Sequence, residues 1–385
     1  MVLKSLILEN IGCIRDLALI ELNSRLNVIT GPNGVGKTTL LKAVCSILTS
    51  AECVQLKRHA QGEQGVIRGI LVDASVEVEK EQKIVQFSPE GRDYMQGFNW
   101  GKKMIYIADN RELAYGKLSN VPRDVIKEDF QYNRDNSIHP EQIKGWFVNR
   151  YLFSAHQNGL SDVQAANFEF AKAAFSILDS SVQFERVDSH SLDIILKTPF
   201  GFIYFEYLSS GFKSLIILIL GIIKEIEFRL GDSHVSVENF DGIVVIDEIE
   251  LHLHPTWQTQ VVGMLLKIFP KVQFFISTHS PHVVQSLYPN QLIALENVDD
   301  NIMQRDLPVS ETGYVGWTLE EILRDVMGME DTNSDCFQHL WKAFTTSIED
   351  EDVAKAREIG QQLFTMMHPG NVLRKVIDLQ LTSLS

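Results

Sequence analysis

Eight residues constrain this chain more than all the others: Gly31-Pro32-Asn33-Gly34-Val35-Gly36-Lys37-Thr38, a complete G-x-x-x-x-G-K-[ST] series. A strand pattern at 25–30 precedes it and a helical pattern from about 37 to 48 follows, the context a phosphate-cradling P-loop requires. The glycines let backbone N–H groups curl around phosphate oxygens, and the helix opening at Lys37 adds the positive end of its dipole. Gly31, Asn33, Gly34, Val35 and Gly36 then form the cradle, Lys37 reaches the β- and γ-phosphates of ATP, and the Thr38 hydroxyl binds Mg²⁺, with Thr39 completing the nucleotide-binding set.

A second element supports the first. Gly242-Ile243-Val244-Val245-Ile246 is a continuous apolar run of the kind buried in a parallel sheet, and it ends in Asp247-Glu248. Adjacent carboxylates at that edge lie where α/β sheets bind ligands; Asp247 would hold Mg²⁺ and Glu248 would polarise an attacking water. Two further elements are weaker alone. Leu208-Ser209-Ser210-Gly211 before an apolar helix also reads as an ordinary N-cap, and His279 in Ile276-Ser277-Thr278-His279-Ser280 as a capped loop residue.

Hydropathy patterning predicts strands at 3–9, 17–22, 25–30, 66–79, 83–87, 104–108, 184–187, 192–196, 201–206, 242–246, 273–277 and 291–296. Helices are expected at 37–48, 211–228 and 255–269, with everything after 318 helical. Between 111 and 178 apolar residues recur at helical spacing, so 111–199 reads as a mostly helical insertion. With 385 residues, 45% hydrophobic and 22% charged, the chain is long enough for one large domain or two modest ones, and neither disordered nor fibrous. A net charge of −15 speaks against a free-standing reader of DNA, although it leaves room for a local basic groove. Residues 311–385 hold thirteen acidic against six basic residues. Cys13, Cys45, Cys53 and Cys336 form no C-x-x-C pair, which fits reduced thiols in a cytoplasmic protein. The greasiest run, 215–223, falls short of the roughly 20 residues a bilayer helix needs, so no membrane association is expected.

Taken in order, P-loop, Leu-Ser-Ser-Gly, an apolar strand ending Asp-Glu and a strand ending Thr-His-Ser resemble the ABC-type ATPases, which include the SMC, RecF and OLD proteins. The resemblance covers about 1–110 and 200–306, and implies an α/β ATPase head of mixed sheet with flanking helices, a helical insertion at 111–199 and a helical C-terminal region at 307–385. It also implies that Ser210 and Gly211 form the signature motif, acting across a head-to-tail dimer on the γ-phosphate held by the partner's P-loop. His279 becomes the switch histidine, Glu248 the catalytic carboxylate, and Asn10 in Leu8-Glu9-Asn10-Ile11 a neighbour of the adenine. Two departures stand out. Phe212 follows Gly211 where the family usually has Glu or Gln, and no Q-loop glutamine is evident, although Arg111 falls in that region.

Glu250-Leu251-His252-Leu253-His254-Pro255 resembles the loop of stand-alone and OLD-type ATPases rather than that of transporters. His252 and His254, two apart, would also suit a zinc ion together with His279 and His282, but no cysteine accompanies them. The 173 positions from Lys37 to Ser210 hold no sustained heptad repeat, which excludes a long coiled coil, and the region after 306 is too short for a TOPRIM nuclease domain. Thr312-Gly313-Tyr314-Val315-Gly316-Trp317-Thr318 and the helices beyond it look like the C-terminal region of ATPases from Septu-type and retron-associated antiphage systems. That resemblance implies a separate HNH-type nuclease partner, a homodimer or higher homo-oligomer, and DNA or RNA contact through the complex. The alternatives are a RecF-like repair ATPase and a nucleotide-gated scaffold with little turnover.

Overall fold

The computed structural model describes residues 1–49, 56–85, 100–109, 115–124, 138–230, 235–308, 311–329 and 333–383. The chain divides into two compact units, Met1–Gly328 and Met329–Ser385. The break therefore falls after Gly328 and not at 306, because Tyr314, Ile322 and Val326 are buried in the core of the first unit. Arg111 lies outside the described residues.

A six-stranded sheet organises the first unit, in the order β13-β12-β3-β11-β10-β6. Its strands are β3 (Leu26–Thr30), β6 (Met104–Ile107), β10 (Ile243–Ile246), β11 (Gln273–Ser277), β12 (Leu292–Val298) and β13 (Asn301–Gln304). All pairs are parallel except the antiparallel edge strand β13. Strand periodicity of two assigns each residue to a face. Val28, Ile105, Ile107, Val244, Ile246, Phe274 and Ile276 belong to one core; Ile29, Met104, Ile243, Val245 and Phe275 belong to the other. These strands read as unbroken apolar runs because both faces are covered.

On the second face lie helix α1 (Lys37–Leu48) and an antiparallel sheet, β2-β1-β4-β5, made of β1 (Val2–Ile11), β2 (Ile14–Leu19), β4 (Gly65–Asp73) and β5 (Val76–Ile84). The first face is covered by α2 (Pro140–Ser154), α3 (Asp162–Leu178) and α4 (Ser210–Arg229). Leu215 to Ile223 on α4 are all buried, each apolar side chain contributing about 1.5–3 kcal/mol, which explains an apolar run too short for a membrane. Among the described residues no helix is long and apolar enough to cross a membrane. Strands β7 (Gln183–Val187), β8 (Ile194–Thr198) and β9 (Gly201–Tyr204) form a third, antiparallel sheet leading into α4.

Two hairpins escaped the sequence. The expected strand 66–79 is two strands joined at Ala74-Ser75, and β12 turns into the unexpected β13 at Asp299-Asp300; all four turn residues have positive φ. That is the signature of a two-residue type I′ turn, here built without the usual glycine. The helix expected at 255–269 is broken into α5 (Pro255–Gln258) and α6 (Val261–Ile268) by a turn at 259–260. After it comes α7 (Pro281–Gln285). The second unit consists of α8 (Asp335–Glu349), α9 (Val353–Met366) and α10 (Leu373–Ser383), packed around Phe344, Ile359, Leu363 and Ile377.

Candidate nucleotide site

Strands β3, β11 and β10 are adjacent and parallel, so the segments leaving their C-terminal ends meet at one edge of the sheet. From β3 comes the loop Gly31–Gly36, which opens α1 at Lys37. Gly31 has φ +140, and a Cβ there would lie 2.3 Å from the Leu295 carbonyl oxygen, so only glycine fits. Gly34, at φ +77, has open space on its Cβ side, as a cradle for a bulky anion requires. The Lys37 ammonium is buried and donates to the carbonyl oxygens of Gly31 at 2.9 Å and Pro32 at 2.8 Å. Burial lowers its pKa, an effect opposed by the nearby carboxylates of Asp247, Glu250 and Glu248.

The turn between β1 and β2 braces the loop. A Cβ at Gly12 would lie 3.0 Å from Thr39 Cγ2, and one at Gly36 would lie 2.8 Å from Cys13 Sγ. Asn10 sits beside this turn with φ +54, its carbonyl accepting the His59 N–H at 2.7 Å. The structure therefore brings Asn10 next to a segment, 57–62, that carried no signal in the sequence.

At the end of β10, Asp247 is buried and accepts a hydrogen bond from the Ser277 hydroxyl. Glu248 follows in left-handed conformation, φ +49, and its N–H donates to the same Ser277 oxygen at 2.8 Å. Glu250, which sequence reasoning passed over, accepts from Thr278 Oγ1 at 2.8 Å and from the His279 N–H at 2.5 Å. It thereby holds the exposed His279 loop against the end of β10. Thr30 Oγ1 donates to the Thr278 carbonyl at 3.0 Å and ties β3 to the same junction. The only advance signal was a third carboxylate two residues past the Asp-Glu pair.

The Leu-Ser-Ser-Gly element opens α4. Ser209 is the N-cap, accepting from the Phe212 N–H at 3.4 Å, and leaves Ser210 exposed at the helix start. A Cβ on Gly211 would lie 3.1 Å from the His252 carbonyl, so this helix end packs on the loop that follows Asp247-Glu248. Phe212 is buried edge-on to Trp257, ring centroids 6.2 Å apart, which accounts for an aromatic residue at that position. His254 Nδ1 caps α5 through Thr256, and His252 is exposed. Among the described residues, no three of His, Cys, Asp and Glu converge to hold a metal ion by themselves.

Residues 26–285 match the family model described as "AAA domain, putative AbiEii toxin, Type IV TA system". The chain is 39% identical over 388 residues to Septu protein PtuA of Bacillus thuringiensis, covering 99% of this chain and 98% of that one. The chain belongs to the Septu PtuA family. It is also 26% identical over 223 residues to "Retron Ec83 probable ATPase" of Escherichia coli, covering 53% of this chain and 39% of that protein. The SMC head domain bound to the C-winged helix domain of ScpA shares 13% identity at a TM-score of 0.48, covering 80% of this chain and 98% of that one. Family membership makes this an ATPase-class P-loop protein.

Proposed function

We propose that the chain binds ATP with Mg²⁺ between two copies arranged head to tail, hydrolyses it, and so controls a separate nuclease in antiphage defence. The observation that carries this reading is the meeting of Lys37, Asp247-Glu248 and the His279 loop at one sheet edge. The donor set suits the ligand: a buried ammonium and loop amides for phosphates, the Thr38 hydroxyl and the Asp247 carboxylate for Mg²⁺. Mg²⁺, when bound, neutralises charge on the phosphates. Lys37 exchanges its carbonyl partners for phosphate oxygens, Glu248 accepts the proton of the attacking water, and His279 follows the γ-phosphate from a loop anchored by Glu250. Ser210, exposed at the start of α4, completes the site of the second copy.

The nuclease partner is inferred from kinship with a Septu protein and from the acidic second unit, whose run Glu349-Asp350-Glu351-Asp352 would complement a basic partner. A second reading, a nucleotide-gated scaffold with little turnover, is favoured by Phe212 standing where the signature usually has Glu or Gln. Phosphate release, measured with and without the product of the neighbouring reading frame, separates the two. Co-purification of that product with the full chain but not with a chain ended at Gly328 supports docking on the second unit. DNA cleavage by the isolated chain would overturn the regulator reading.

A further inference from the structure

The three-stranded sheet has a face that the ATPase site does not use. Pairing of β8 with β7 and β9 sets Gln183, Lys197 and Phe202 in one row and Arg186, Ile195 and Tyr204 two rows on, with Phe184, Leu196 and Ile203 between them. Residues of paired rows alternate between faces, so these six share one face. The other face, with Leu196, Ile194 and Val187, is buried in the core. A register shift between Phe184 and Arg186 leaves the exposed Glu185 outside the pairing, next to rows that themselves carry two cations, Arg186 and Lys197.

Aromatic rings dominate this face. Phe202 is 59% exposed, with the Arg186 guanidinium 5.5 Å from its ring centroid. Tyr204 meets the exposed Tyr207 edge-on at 5.6 Å. At the hairpin tip Thr198 Oγ1 donates to the Gly201 carbonyl at 2.9 Å and accepts the Phe200 N–H at 3.3 Å, a closed turn that leaves Phe200 98% exposed. A cluster of this kind left in water marks a contact surface. An apolar protein face would suit the rings but would strand Arg186 and Lys197. A duplex would suit the cations but would keep its bases out of reach. A single strand satisfies both, since bases stack on rings and phosphates meet cations.

We propose that Arg186, Lys197, Phe200, Phe202 and Tyr204 form a binding platform for single-stranded nucleic acid, independent of the ATP site. The test is fluorescence anisotropy of the full chain with a labelled oligothymidine of about 20 nucleotides, and with a duplex of equal length. The single strand should bind more tightly than the duplex. F202A/Y204A should weaken it by about 100-fold, and R186Q/K197Q should also flatten the slope of log affinity against log salt by about 1.4. F200S, at a side chain whose removal costs almost no packing, should weaken binding by about tenfold and serves if the double variants misfold. Equal affinity for duplex and single strand, or wild-type affinity in F200S and in either folded double variant, overturns the proposal. So does a change of oligomeric state in F202A/Y204A with oligothymidine affinity intact, since the face would then join copies of the chain.

Discussion

The Ser277 hydroxyl donates to the Asp247 carboxylate, and the same oxygen accepts the Glu248 N–H at 2.8 Å. One side chain on β11 thus fixes both acidic residues at the end of β10. Replacing it leaves a Glu248 N–H and a buried carboxylate without that partner, a cost of about 1–3 kcal/mol. Ser277→Ala should therefore lower thermal stability and cut ATP turnover by tenfold or more (about 1.4 kcal/mol) while ATP binding persists. Turnover equal to wild type would show that Asp247 and Glu248 hold their places without it.

Lys37→Ala should abolish tight ATP binding, because Lys37 is the cation placed within reach of the loop carbonyls at the cradle. Glu248→Gln should keep binding, since Thr38 and Asp247 survive, and slow hydrolysis by about 100-fold or more through loss of the proton acceptor. Equilibrium binding of a fluorescent ATP analogue and phosphate release read the two effects separately. Wild-type hydrolysis in Glu248→Gln would remove Glu248 from the mechanism.

Ser210→Arg tests action in trans. A bulky cation at the exposed start of α4 should block docking on the second copy's γ-phosphate, reducing turnover while single-chain ATP binding stays intact. Mixed with Lys37→Ala, it can form one complete composite site per pair. Partial recovery of turnover on mixing is the expected result; no recovery counts against a shared site.

Much of the fold around this candidate site was legible in advance because its signals are local. The helix expected at 37–48 forms at Lys37–Leu48, and the strand expected at 273–277 forms at Gln273–Ser277, each set by a contiguous pattern. Ser277 and Glu250 were illegible for the opposite reason. Their roles depend on β10 lying beside β11, a pairing of segments about 30 residues apart that no local pattern encodes. The hairpin at Ala74-Ser75 was hidden because its positive φ values fall on residues that rarely adopt them, and that at Asp299-Asp300 because no glycine marks the turn. The unit boundary was misplaced because the apolar residues 314–326 look like helix, whichever core they enter.

Lys80, on β5, is buried beneath the Trp100 ring at 5.9 Å, and burial pulls its pKa from the usual lysine value to about 8. Above pH 8 the native side chain is neutral, whereas the unfolded chain keeps its proton up to about 10.4. The unfolded state then binds more protons, so stability rises with pH between about 8 and 10.4 and does not change on this account below 8. Lys80→Met should remove that rise and stabilise the protein at pH 7 by on the order of 1–3 kcal/mol. Urea denaturation at pH 7, 8, 9 and 10 reads both effects, and a wild-type profile without the rise would place the charge elsewhere.

Gly328, the last residue of the first unit, has φ +74, and a Cβ there would lie 3.1 Å from Pro32 Cγ in the P-loop and 3.1 Å from Arg305 Nη2. Arg305 cannot yield freely, because it donates to Glu296 at 2.9 Å and to the Asp325 carbonyl at 2.8 Å. A side chain at 328 therefore presses on Pro32, whose carbonyl is one of the two partners of the Lys37 ammonium. Left-handed backbone adds about 1–2 kcal/mol of strain for any residue but glycine. Gly328→Ala should lower the melting temperature and weaken ATP binding several-fold, about 1 kcal/mol. Gly316→Ala, at a glycine with open space around its Cβ position, serves as the control and should change neither. If Gly328→Ala loses stability yet binds ATP as wild type does, Pro32 tolerates the displacement and the exit of the first unit is mechanically separate from the nucleotide cradle.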